Sequence, residues 1–135
     1  MKPLAIICDL YNPALLIISV LLIYKQKARF QSIVFFLWVI IIAYGLMFVD
    51  IQLGFWKMFS LDYSTHTATA VGMIVFIGVL VKAPIRIAVL VFSLVLYAVL
   101  MKVLGYHGYW DVITTTVVVV PLVLIGFTLI KKSVR

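Results

Sequence analysis

Two short polar segments carry the residues whose types and spacing suit them for chemistry. The first, Asp62–Thr67, contains His66, and the second, Tyr106–Asp111, contains His107. Together they hold both histidines and two of the four acidic residues of the protein. His107 and Asp111 are four positions apart, a spacing that puts two side chains on one face of a helical turn. The pattern therefore pairs an imidazole with a carboxylate and supplies a second imidazole from elsewhere in the chain.

These residue types form a complete set for phosphoryl transfer through a phosphohistidine. A carboxylate bonded to one imidazole nitrogen fixes the tautomer and leaves the other nitrogen free to attack. We therefore expect His107 to be the nucleophile and Asp111 to orient it. His66 is the expected general acid, which protonates the leaving oxygen. A zinc site built from His66, His107 and Asp111 is an alternative, but no close metal-ligand spacing supports it.

The residues around the histidines suggest a site for an anion. Each polar segment stands just before a long apolar run, so each opens a predicted helix, and helix N-termini bind anions through free N–H groups. Ser64 and Thr65 can cap their helix or donate hydroxyls to a phosphate. Lys57 and Lys102 are the nearest cations in sequence and are candidate phosphate ligands, with solvated surface charges as the alternative.

The composition shows what must position these residues. Of 135 residues, 67% are hydrophobic and the mean hydropathy is +1.31, whereas soluble domains are about 45–50% apolar. A chain this short cannot hide such an excess inside a globule. The sequence predicts an all-α integral membrane protein, a single domain with a bundle of about five transmembrane helices. The predicted spans are approximately 4–24, 32–49, 67–81, 85–104 and 112–130.

The charges predict an orientation. Five alternating spans divide the cations between two faces. One face carries Lys2, Lys57 and Lys102. The other carries Lys25, Lys27, Arg29, Lys82, Arg86, Lys131, Lys132 and Arg135. The positive-inside rule then places the N-terminus outside, the C-terminus in the cytoplasm and both histidine segments on the non-cytoplasmic face.

The net charge of +7 is explained by this topology and by contact with anionic lipids, so we expect no nucleic acid partner. The expected partners are membrane lipids and a lipid-phosphate substrate, and the oligomeric state is open. The absence of glutamate and of long loops is typical of a compact bacterial inner-membrane protein. The single cysteine, Cys8, permits no internal disulfide and is expected to be an apolar filler.

Both polar segments resemble motifs of the type 2 phosphatidic acid phosphatase superfamily. Tyr63–Ala70 resembles its Pro-Ser-Gly-His motif, and Leu104–Val112 resembles its closing motif, a histidine and an aspartate four residues apart before the last core span. The likeness covers about residues 32–130. It implies a four-helix catalytic core in spans two to five, the roles given above for His66, His107 and Asp111, and a lipid phosphate or diphosphate substrate. It also implies catalysis without a metal or other cofactor.

The chain departs from the family pattern at the residues that clamp phosphate. The family's first motif has a lysine followed by Arg-Pro, whereas the loop here offers only Lys57. The arginine expected six residues before the second histidine is Met101, and the glycine of Ser-Gly-His is Thr65. A lysine does not replace a planar bidentate arginine. The alternative function is therefore a catalytically degenerate or unrelated small membrane protein that binds a lipid or a partner transmembrane helix.

Overall fold

The computed structural model describes residues 2–133 and confirms the all-α prediction, with five α-helices and no strand in that range. The helices are α1 (Lys2–Lys25), α2 (Arg29–Leu53), α3 (Thr65–Val81), α4 (Pro84–Val103) and α5 (Tyr109–Ser133). Within this range α1, α2, α4 and α5 are long and apolar enough to cross a membrane, and α3 is a shorter apolar helix of 17 residues. Most helices extend beyond the predicted spans. The spans were predicted from apolar runs, whereas helical hydrogen bonding continues into the polar residues at their ends.

Local sequence explains where several helices begin and end. Gly54 ends α2 with a positive φ of 62° and returns its N–H to the carbonyl of Asp50, a conformation that glycine adopts at no steric cost. Ser64 caps the start of α3. Pro84 occupies the first position of α4, where its missing N–H costs no helical bond. Lys82 ends α3 with a φ of 52°, in the left-handed region where side chains are disfavoured.

The shortest helix lies at the centre of the bundle. α3 packs against each of the other four helices, and an unbroken run of buried residues extends from Thr67 to Ile74. A helix that is apolar on all sides is typical of such a buried position. The four longer helices turn many large apolar side chains outward, which is the surface that a hydrocarbon solvent requires.

Glycines allow two close helix approaches in the middle of the bundle. A Cβ added at Gly72 of α3 would meet Val39 Cγ1 of α2 at 2.6 Å, and one added at Gly126 of α5 would overlap the indole of Trp38. The same indole donates its Nε1–H to the carbonyl of Leu122 at 3.0 Å. Small residues that let helices approach closely are common in membrane bundles. These contacts fix α2 against α3 and α5, and so fix the ends where the polar segments lie.

Candidate functional site at the paired starts of α3 and α5

The structure brings the two polar segments together, as the sequence predicts. α3 and α5 begin at the same end of the bundle, and two hydrogen bonds join their starts. The Asp62 N–H donates to Asp111 Oδ1 at 2.9 Å, and the Ser64 N–H donates to Thr115 Oγ1 at 3.3 Å. The helix N-termini therefore face the same layer, with the imidazole of His107 beside this junction.

Asp111 organises the junction. It is the third residue of α5, and its Oδ2 accepts the N–H of Gly108, the residue before the helix, at 2.7 Å. This is the carboxylate half of a capping box, which satisfies an N–H that the helix leaves unpaired. With Oδ1 bonded to Asp62, each carboxylate oxygen of Asp111 has a backbone partner. Asp111 therefore holds the start of α5 and the preceding loop in one arrangement.

His107 lies between two carboxylates. Its Nδ1 is 3.8 Å from Asp62 Oδ2 and 4.0 Å from Asp111 Oδ2, and 13% of its side chain is exposed. Nδ1 is buried and makes no hydrogen bond among the described residues, so the carboxylates lie at ion-pair distance, beyond hydrogen-bond reach. Two acceptors beside Nδ1 favour the tautomer with the proton on that nitrogen. Nε2 is then the nitrogen that carries a lone pair for chemistry.

His66 lies on the first turn of α3, and its side chain is exposed. Its carbonyl accepts a hydrogen bond from Asn12 Nδ2 of α1 at 3.1 Å. In the described structure its imidazole makes no hydrogen bond to His107, Asp111 or Asp62. The structure thus gathers His107, Asp111 and Asp62 into one cluster and does not bring the His66 side chain into contact with it.

The predicted phosphate ligands fall into two groups. Ser64 is fully buried and is used as a cap: its Oγ accepts the Thr67 N–H at 3.2 Å and donates to Thr67 Oγ1 at 2.8 Å. Thr65 is half-buried at the first position of α3. Lys57 and Lys102 are exposed, and Lys102 Nζ lies 5.8 Å from the centre of the Tyr109 ring. The capping alternative therefore describes Ser64, while Thr65 and both lysines keep free polar groups.

The loop between α2 and α3 is anchored by two buried groups that sequence analysis overlooked. Asp50 is buried, although its place at the end of an apolar run suggests a solvated carboxylate, and its Oδ1 accepts the Trp56 N–H at 2.8 Å. The Tyr63 hydroxyl donates to the Ala43 carbonyl at 2.6 Å. Burial, and secondarily the nearby Asp50 carboxylate, raises the pKa of Tyr63 above its usual range, which keeps this donor protonated.

The place of Asp62 next to His107 was also not evident from the sequence. Its side chain is 67% exposed, as expected for a loop carboxylate, yet it is the acidic group nearest to His107. Asn12 lies beside the same end of α3, and its Oδ1 is buried without a partner among the described residues. The only sequence signal for these two residues is their polarity next to apolar runs.

An apolar groove lies at the same end of the bundle as the histidine cluster. It has a volume of about 400 Å³ and runs between the loop after α2 and the first half of α5. Its lining residues are Phe55, Trp56, Phe59, Leu61, Ile113, Thr114, Val117 and Val118. The Thr114 hydroxyl is occupied by the Trp110 carbonyl and by Trp56 Nε1–H, so the groove offers no free polar group. Leu61, which lines the groove, directly precedes Asp62 in sequence.

No protein-family model, curated protein or solved structure matches this chain. Within residues 2–133 no group of three histidine, cysteine or acidic side chains is arranged to hold a metal ion, so the zinc alternative has no ligand set there. What the fold and the site define is an all-helical apolar bundle with one histidine–carboxylate cluster at the paired starts of two helices.

Proposed function

We propose that the protein is a membrane-embedded lipid-phosphate phosphatase or phosphotransferase that works through a phosphohistidine, as a short and divergent member of the type 2 phosphatidic acid phosphatase superfamily. The observation that carries the proposal is the position of His107 Nδ1 beside two carboxylates, 3.8 Å from Asp62 and 4.0 Å from Asp111. Hydrogen bonds from Nδ1–H to these carboxylates in the substrate complex would orient the ring and leave Nε2 to attack. Ion-pair distances of this kind often shorten to hydrogen bonds when substrate binds.

The surroundings of His107 suit a lipid phosphate. The first N–H groups of α3 and the helix dipole favour an anion, and the exposed Lys57 and Lys102 add positive charge on the same side. These groups must offset the repulsion between a phosphate and the carboxylates of Asp62 and Asp111. The apolar groove along α5, at the same end of the bundle, would hold a hydrocarbon chain of the substrate.

The proposed reaction has two steps. His107 Nε2 attacks phosphorus, the bond between phosphorus and the lipid oxygen breaks, and His66 gives that oxygen a proton. Water, or a hydroxyl of an acceptor, then attacks the phosphorus, the bond between phosphorus and His107 Nε2 breaks, and the proton of the attacking group goes to His66. No metal or organic cofactor takes part in these steps. The exposure of the His66 imidazole on the first turn of α3 supports this role, because it leaves the ring open to a leaving group at the membrane surface.

The cation distribution supports a location for this chemistry. With the cation-rich end in the cytoplasm, the histidine cluster faces the non-cytoplasmic side of the membrane. The compact, loop-poor chain suits a bacterial inner membrane, where the outer leaflet would supply the substrate.

A second candidate function is lipid or helix binding without catalysis. It is favoured by the bonding of Asp111, whose two oxygens are taken by backbone N–H groups, and by the capping role of Ser64. In this candidate the histidine cluster only joins the starts of α3 and α5, and the apolar groove holds a lipid chain or a partner helix.

Phosphate release by the purified protein in detergent separates the two candidates. The substrates are phosphatidic acid, phosphatidylglycerol phosphate, a polyprenyl diphosphate and a lipid A phosphate, and the matched control is His107→Gln, which keeps polarity and approximate size. Release that disappears in His107→Gln, with an unchanged helical circular dichroism spectrum, supports the enzyme. Equal release by both proteins, or none by folded wild-type protein, would reject it.

A further inference from the structure

The opposite end of the bundle contains a second cavity, which the proposed chemistry does not use. It has a volume of about 280 Å³ and lies where α2 begins and where α3 and α5 end. Its polar lining comes from Gln26, Gln31, Ser32, Lys82 and Lys131. Its floor is apolar and includes Phe35 and Phe127. A polar rim above an apolar floor suits a ligand that has both a polar head and an apolar body.

The charges around the cavity favour a negatively charged ligand. Lys82 and Lys131 both line the cavity and are exposed. Among residues 2–133 the only ion pairs within 4.0 Å are those of His107, so no described carboxylate neutralises either lysine. Five further cations stand at the same end: Lys25, Lys27, Arg29, Arg86 and Lys132. All four aspartates lie in the halves of the helices and loops nearer the histidine cluster.

The start of α2 adds donors to the same cavity. Ala28 stands at the N-cap and provides no side-chain hydrogen bond, so the first N–H groups of α2 lack a side-chain acceptor. The Ser32 hydroxyl donates to the Ala28 carbonyl at 3.2 Å and does not cap the helix. An uncapped helix start carries partial positive charge, here next to two lysines that line one cavity.

Lys82 is an unexpected residue at its position. The end of α3 needs a left-handed residue, φ 52°, and glycine or asparagine usually fills such a position. A lysine accepts backbone strain there, and strain of this kind points to a use for the side chain. In this structure Lys82 is one of the residues that line the cavity.

We infer that this cavity is a binding site for the phosphate headgroup of an anionic membrane lipid, with Lys82, Lys131 and the start of α2 around the phosphate. The glycerol and upper acyl carbons would lie on the apolar floor. Basic pockets between helices at a membrane surface bind anionic headgroups in this manner. The inference needs only the bundle and its charges, and does not depend on the proposed catalysis.

Titration calorimetry of the purified full chain in neutral detergent tests the site. The probe is dihexanoyl phosphatidylglycerol, a phosphodiester that a phosphomonoesterase does not cleave, and dihexanoyl phosphatidylcholine is the zwitterionic comparison. Wild-type protein is expected to bind the first and not the second. Loss of one lysine should weaken binding about fivefold, the effect of about one basic contact at a membrane surface.

Three variants test whether binding depends on the cavity itself. Lys131→Gln removes a charge that lines the cavity, whereas Lys132→Gln removes its neighbour, which does not. Lys82→Gly removes the other charge and relieves the left-handed backbone, so weaker binding in that variant does not reflect a damaged fold. The inference is supported if Lys131→Gln and Lys82→Gly weaken binding and Lys132→Gln does not.

Three results would overturn the inference. The first is absence of phosphatidylglycerol binding by wild-type protein. The second is equal weakening by Lys131→Gln and Lys132→Gln, which would show diffuse attraction to the whole basic end. The third is binding of inorganic phosphate as tight as that of the lipid, which would show an ion site with no role for the apolar floor.

Discussion

The charged side chains at the two ends of the bundle differ in whether they have partners within the protein. At the histidine end, Asp111 and Asp50 accept backbone N–H groups and Asp111 ties two segments together. At the cation-rich end, Lys82 and Lys131 border a cavity without a described carboxylate nearby. At the first end the carboxylates of Asp50 and Asp111 bond within the protein, while the imidazoles make no hydrogen bond among the described residues, which suits chemistry. At the second end the charges of the two lysines are not neutralised by a described carboxylate, which suits binding of an anion from outside the protein.

The largest expected effect comes from the free histidine. His66→Ala should lower phosphate release from a lipid phosphate by about a hundredfold or more, because general acid catalysis contributes about 10²–10⁴. Release from p-nitrophenyl phosphate should fall much less, since nitrophenolate leaves without a proton. Steady-state assays with both substrates measure the difference. An equal loss for the two substrates would contradict the general acid role.

The second-largest expected effect concerns the packing of α2 against α5 between the two ends of the bundle. Gly126→Ala should lower the free energy of unfolding by about 1–3 kcal/mol, because the new methyl group overlaps the Trp38 indole. Gly45→Ala is the matched control, since no atom lies within 4 Å of its added Cβ, and it should be neutral or stabilising. Thermal denaturation in detergent compares them. Equal stability of the two variants would show that α2 and α5 adjust freely.

A smaller effect distinguishes the two carboxylates beside His107. Asp111→Ala should cost about 1 kcal/mol or more of stability, because it removes a helix cap together with the bond to Asp62. Asp62→Ala keeps both backbone N–H bonds of Asp111 and should leave stability nearly unchanged. Denaturation curves of both variants test this. A larger loss in Asp62→Ala would reverse the assignment of Asp111 as the organising residue.

The smallest expected effect is that of salt. Raising sodium chloride from about 0.1 M to about 1 M shortens the Debye length from about 10 Å to about 3 Å. Phosphatidylglycerol binding at the exposed lysines should weaken several-fold, whereas kcat at saturating lipid phosphate should change little. Calorimetry and initial-rate assays at the two concentrations check this contrast. A kcat that fell in parallel with lipid affinity would couple the two ends.

The helices were predictable from the sequence because an apolar solvent imposes a simple rule. A chain in hydrocarbon must bond its backbone internally, so apolar runs give helices, and the alternating direction of those helices places His66 and His107 at one end. The same rule says nothing about which helix is central, and the burial of α3 becomes evident only from packing.

The bonding within the candidate site was not predictable in the same way. Ser64 and Asp111 each have two uses, capping or ligand binding, and the choice depends on where neighbouring N–H groups lie. The burial of Asp50 depends on the fold of a loop that hydropathy does not describe. The approach of Asp62 to His107 depends on a hydrogen bond from the Asp62 backbone N–H to the carboxylate of Asp111, 49 residues further along the chain. Such choices are made by tertiary geometry, because several partners compete for one polar group at similar free energy.

The loop from Gly54 to Ser64 has a consequence for sequence variation. Its start is fixed by Asp50 and its end by the bonds of Asp62 and Ser64 to α5. An inserted or deleted residue between these fixed points would shift one set of bonds out of register. We therefore expect natural variants to keep the length of this loop while exposed positions such as Met58 change freely.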